Sequence, residues 1–316
     1  MFVVRCLGVS LAFFLLLYGA VSVALIRGWR LARRAGSRLS AGRLAALLFA
    51  LRGFPFAVAA LITLGFVVPS FLLLEPRVVA EPIGGIPLTL GACCLVIFAA
   101  GLLNAIGAQV RTSRTVAGWL QGSSVGSDCY SVPLFRIRPS SPALTVAGLR
   151  APRVLLSDAA AAVLNEQELE TALKHEIAHV RRRDNLKKLL FRVCAFPGMA
   201  ALELAWSEAA EMAADDAAVS SSREALDLAS ALIKLSRFAT VHTIAVLTTA
   251  LVQGPSSGLN ARIERLLAWD ETRAARPHRF VSWFLAPTLL GGIVFVVLTY
   301  GVVLNRMHDL TEWLVR

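Results

Sequence analysis

Residues 165–184 read NEQELETALKHEIAHVRRRD, and within them Lys174-His175-Glu176-Ile177-Ala178-His179 contains H-E-x-x-H. Asn165 followed by Glu168 is a capping-box pattern, and the Ala, Leu, Glu and Arg that follow favour a helix running to about Arg183. The motif thus falls inside a helix expected from capping and periodicity alone. Residues four apart on a helix differ by about 40° in azimuth, so both imidazoles point to one side and can chelate one zinc ion. Glu176 lies beside that face, where its carboxylate can take a proton from water. Two histidines and a glutamate could instead decorate a solvated helix. With five histidines in 316 residues, however, chance produces the pattern on the order of a few times in a thousand chains.

A catalytic zinc takes three protein ligands and leaves a position open for water. A second helix, expected after Pro197 and through Ala218, carries Glu208-Ala-Ala-Glu211-Met-Ala-Ala-Asp215-Asp216. Glu211 and Asp215 share a face, and the alanines between them would let this helix pack close to the first. Glu211 fits as third ligand, with Glu208 the alternative on much the same face. Asp215 fits as the carboxylate that accepts the distal N–H of a ligating histidine, and Asp216 points elsewhere. Taken alone, these acids would read as a solvated helical face. Asp184 is placed with Asp215 behind the ligands, in a structural role as a salt bridge to a neighbouring arginine or a helix cap rather than as a catalytic group. Tyr130 and His242 are candidates for stabilising the oxyanion or touching substrate.

Outward from the motif, Val132–Ile137, Leu144–Val146 and Arg153–Leu156 are short β-prone runs that predict a small sheet or hairpin. Farther out, a composition 56% hydrophobic and 17% charged does not suit a soluble protein. Four uncharged runs can cross a bilayer: residues 6–26, 53–74, 84–110 and 280–305. The first is expected to remain as an anchor rather than a cleaved signal peptide, because Arg-rich sequence follows it. Phe238–Ala261 is also uncharged, but its short apolar core and His242 predict a buried or interfacial helix instead.

The net charge of +11 resembles a nucleic-acid footprint, yet its placement says otherwise. Arg27, Arg30, Arg33, Arg34, Arg38, Arg43 and Arg52 lie between the first two spans with no acid among them, so the loop 27–52 is expected in the cytoplasm. Alternation puts both termini outside and residues 111–279 inside. Arg181, Arg182 and Arg183 form a basic collar suited to the anionic inner leaflet. The five scattered cysteines, among them Cys129 and Cys194, indicate neither disulfides nor a thiolate zinc site.

These elements resemble the bacterial membrane-embedded BlaR/MecR-type antirepressor peptidases, which are gluzincins. The resemblance rests on Gly148-Leu-Arg-Ala-Pro-Arg-Val-Leu-Leu156, on His175-Glu-Ile-Ala-His179-Val-Arg-Arg-Arg-Asp184, on Glu211-Met-Ala-Ala-Asp215 and on Arg262-Ile-Glu-Arg-Leu-Leu267. It implies His175, His179 and Glu211 as ligands of one Zn2+ per chain and Glu176 as catalytic base. It also implies attack of activated water on a peptide carbonyl, with an extended substrate joining the edge of the sheet. Only about a dozen residues follow the last run, so no extracellular penicillin-binding sensor is expected.

The fold expected is mostly α, a polytopic membrane protein with four transmembrane helices. A cytoplasmic α+β gluzincin-like domain, residues 111–279, sits between the third and fourth, and 306–316 form a short outer tail. Expected partners are membrane lipid and a protein or peptide substrate, a cytoplasmic repressor among the candidates, with no direct nucleic acid. The competing functions are an HtpX-like quality-control protease and a non-catalytic zinc-binding scaffold or signal transducer.

Overall fold

The structure is a computed structural model that describes residues 2–32, 39–75, 84–121, 123–125, 132–137, 143–237, 249–250, 256–269 and 298–313. The chain divides into two compact units, one of residues 1–35, 51–101 and 277–316 and the other of 36–50 and 102–276.

The first unit is built from long apolar helices: α1 (Phe2–Ala32), the part of α2 (Ala41–Ile62) from Leu51 on, α3 (Val68–Leu74) and the start of α4 (Gly85–Leu120). Among the described residues, three stretches, Phe2–Trp29, Ala41–Leu74 and Gly85–Leu120, are long and apolar enough to cross a membrane. Large apolar side chains such as Leu61, Leu73 and Val96 point outward along them, as a lipid-facing surface requires. Of the fourth expected span only residues 298–305 are described. They are helical, and the helix continues to 313 through much of the expected tail.

The basic segment 27–52 is largely helical as well, inside α1 to Ala32 and inside α2 from Ala41. Arginine is a good helix former, so Arg43 and Arg52 do not interrupt α2. Between α2 and α3, residues Thr63–Val67 form a π-helical turn. Pro69 has no N–H to give the Gly65 carbonyl, and the Tyr300 hydroxyl donates to that oxygen at 3.0 Å. Phe14, Tyr18, Phe56 and Phe98 pack with ring centroids 5.2–6.0 Å apart. A Cβ on Gly91 would sit 3.1 Å from the Gly8 carbonyl oxygen, the close backbone approach that small residues permit between apolar helices.

The second unit holds a five-stranded mixed sheet in the order β1-β2-β4-β3-β5. Its strands are β1 (Ser124–Val125), β2 (Leu134–Ile137), β3 (Leu144–Ala147), β4 (Arg153–Ser157) and β5 (Thr249–Ala250). β2 runs parallel to β4, while β3 and β4 form a hairpin pairing Leu144 with Leu156 and Ala147 with Arg153. The hairpin turns at Gly148, with φ +104°, where a Cβ would come within 2.4 Å of the Ala151 carbonyl oxygen. β3 is buried throughout and β4 for four of its five residues, in keeping with their unbroken apolar runs. Beyond the expected end of the third span, α4 continues to Leu120 and lays Val116, Trp119 and Leu120 on Ile137, Ala147 and Leu155.

One sequence expectation changes here. Thr249 and Ala250, inside the segment expected to be helical, form a strand. They pair with Val146 and Thr145, so β3 is not an edge at those residues. An unpaired edge of buried β3 would leave backbone groups unsatisfied, and the chain itself supplies the partner.

From Ser157 to Ser236 the chain is mainly helical. Ser157 caps α5 (Asp158–Val163), and Asn165 and Glu168 cap α6 (Glu166–Arg182) reciprocally at 2.8 and 2.9 Å. Then come α7 (Asp184–Val193), α8 (Ala200–Ala218), α9 (Ser222–Ser236) and α10 (Ser256–Leu267). Their core joins the sheet to α6 and α9 through Leu144, Val154, Leu156, Leu173, Ile177, Leu228 and Leu232.

Candidate metal centre

The motif helix and α8 pack through alanines, with Ala178, Ala209, Ala210, Ala213 and Ala214 all buried. Their small side chains bring the two backbones close enough for His175, His179 and Glu211 to meet, and all three are buried. The two Nε2 atoms stand 3.2 Å apart. Glu211 places Oε2 at 3.6 Å from His175 Nε2 and Oε1 at 3.6 Å from His179 Nε2. Glu208, the alternative, is exposed and outside this group, and Asp216 pairs instead with Arg265.

Each imidazole turns its other nitrogen to a carboxylate. His175 Nδ1 lies 3.0 Å from Asp215 Oδ1, and His179 Nδ1 donates to Asp184 Oδ2 at 2.8 Å. Asp184 holds His179 Nδ1 and so leaves the lone pair on Nε2, His175 Nδ1 faces Asp215, and both Nε2 atoms face Glu211. Asp184 thus stands behind one imidazole as Asp215 stands behind the other. Arg182 Nε stands 3.6 Å from Asp184 and Lys187 Nζ donates to it at 3.0 Å.

Arg183 puts Asp184 there. It ends α6 in the left-handed conformation, φ 55° and ψ 41°, and turns the chain so that the next residue comes back to His179. Arg183→Gly is expected to be tolerated, whereas Arg183→Val costs about 1–2 kcal/mol because a β-branched residue resists this conformation. Denaturant midpoints check the pair, and equal midpoints would remove the turn from the account.

Burial pushes the Glu176 carboxyl up to about 7, with the two histidines holding it from going higher. Burial alone would depress His179, but Glu211 and Asp184 raise it to about 9, so a metal taken up there displaces a proton. Glu211 and Asp215 are buried too, yet the charges around them keep both ionised, Asp215 at about 2.

This donor set fits a divalent metal. A tetrahedral ion with bonds of 2.0–2.1 Å spaces its ligands about 3.4 Å apart, close to the 3.2 and 3.6 Å found here. Both Glu176 oxygens are buried without a hydrogen-bond partner, which an open coordination position with its water would supply. Among the described residues no fourth ligand joins the group.

Six residues singled out in the sequence, His175, Glu176, His179, Glu211, Asp215 and Asp184, lie together in the structure. Tyr130, His242 and Cys129 lie outside the described residues. Arg262 was quoted only as part of a pattern. It is buried, donates from Nε and Nη2 to the two Asp215 oxygens at 2.8 and 2.6 Å, and donates from Nη1 to Glu211 Oε2 at 3.1 Å. A lone arginine in an ordinary amphipathic helix carries no signal of such a role.

Residues 139–266, which contain the whole centre, match the family model described as BlaR1 peptidase M56, a metal-dependent peptidase family. No curated protein matches the chain.

Proposed function

We propose that this chain, a member of the BlaR/MecR-type peptidase family, is a membrane-embedded zinc endopeptidase that cuts a cytoplasmic or membrane-associated protein, in a regulatory role. The observation that carries this reading is the convergence of two histidine nitrogens and one carboxylate within 3.2–3.6 Å, beside a buried, unpartnered Glu176. A structural zinc scaffold would close its coordination shell with a fourth protein ligand and give Glu176 nothing to do.

His175, His179 and Glu211 would hold the ion. When bound, zinc supplies a Lewis acid that polarises the scissile carbonyl and eases deprotonation of water. Glu176 accepts the proton of the attacking water and hands it to the departing amine. A carboxyl near 7 can perform both halves of that transfer at neutral pH. Asp184 and Asp215 keep the imidazoles oriented throughout. The arginines between the first two apolar helices and at Arg111, Arg114, Arg273, Arg276 and Arg279 support an inward-facing peptidase unit.

The test compares protein N-termini in cells expressing the wild-type chain or Glu176→Gln at equal, zinc-loaded levels. New termini that depend on Glu176 identify the substrates; identical sets under several stresses favour the scaffold.

A further inference from the structure

We propose that Arg262 is a positioning residue of the zinc centre, holding Asp215 and Glu211 in the geometry that binds the metal rather than merely stabilising the fold. The inference rests on the zinc reading of His175, His179 and Glu211. Arg262 engages both oxygens of Asp215, and Asp215 stands 3.0 Å from His175 Nδ1, so the guanidinium fixes the group that orients one ligand. Its third contact, to Glu211 Oε2, leaves Oε1 as the oxygen nearer His179 and restrains a second ligand directly. One planar group thus acts on two of three ligands, and a lysine ammonium cannot reproduce that fork.

The residue comes from α10, whose Leu259, Ile263 and Leu266 join the hydrophobic core. One turn on, Arg265 grips Asp216 and the Met212 carbonyl on the same face of α8, but in an exposed pair away from the ligands. It provides an internal control. Two accounts of Arg262 then differ in sign. If the arginine were only a nearby positive charge, deleting it would tighten binding of a dication. If it positions the carboxylates, deleting it loosens binding despite the more negative site.

The experiment titrates the full chain in detergent with zinc against a competing chelator, for the wild type, Arg262→Met, Arg262→Lys, Arg265→Met and Asp215→Asn. The expected result is a loss of affinity of about 10–100-fold for Arg262→Met, part of that loss for Arg262→Lys, and none for Arg265→Met. Adding Asp215→Asn to Arg262→Met should cost little more than Arg262→Met alone, because Asp215 acts through His175 and has already lost the guanidinium that fixes it. Affinity for Arg262→Met equal to or tighter than wild type overturns the proposal. Should that variant fail to fold, wild-type affinity for Arg262→Lys overturns it alone. No peptide enters the titration. Arg262-dependent zinc binding in a chain that cuts nothing sinks the peptidase reading and leaves this one standing; cleavage with Arg262-independent zinc binding does the reverse.

Discussion

Purified Glu176→Gln is expected to bind zinc as the wild type does and to cleave peptide about 10²–10⁴-fold more slowly. Glutamine keeps the shape of the side chain but cannot take a proton, and Glu176 is not among the converging ligand atoms. A second readout separates this from simple damage. Burial raises the folded-state Glu176 carboxyl to about 7 from 4.5, so its contribution is complete below pH 4.5 and is lost as pH rises through 7. Above pH 7 the metal-free wild type therefore carries a buried carboxylate that costs on the order of 3 kcal/mol. Metal-free Glu176→Gln should melt higher than metal-free wild type at pH 8, and the gap should close toward pH 4.5. A variant that loses zinc, or that melts lower at pH 8, would contradict the assignment of Glu176 as an unpartnered base.

The second large effect is on metal loading. At free zinc about a thousandfold above its dissociation constant, binding contributes about 4 kcal/mol to stability. For a unit of this size that is an upward shift of about 8–16 °C in the thermal transition. Chelation should reverse it. Glu211→Ala removes a ligand and leaves Arg262 facing a gap, so its transition should no longer respond to zinc. A wild-type transition indifferent to zinc, or a Glu211→Ala transition that still responds, would show that these residues do not form the metal centre.

Both expectations were partly legible before any coordinates. Asn165 and Glu168 announce the start of α6, and the four-residue spacing of His175 and His179 fixes their common face, because capping and helical period are local properties of the backbone. The apolar helices are legible for a similar reason: length and apolarity suffice to mark a span. Their ends were less so. Arg43 and Arg52 suggested a loop, yet lie inside α2, since a charged but helix-favouring residue does not stop a helix.

The sequence by itself thus determined the motif helix, the common face of its two histidines, the glutamate beside them and the long apolar helices, all readable within one or two turns or one uninterrupted run. Tertiary structure alone decided which acid of α8 enters the centre, because Glu208 and Glu211 share a helical face and only packing against α6 buries one and exposes the other. It also decided that the left-handed Arg183 returns Asp184 to His179, that Thr249 and Ala250 close the β3 edge, and that Arg262 reaches Asp215 from 47 residues away. Such contacts follow from how separate elements bury their apolar faces together, and no local pattern encodes which side chains that packing will bring into reach.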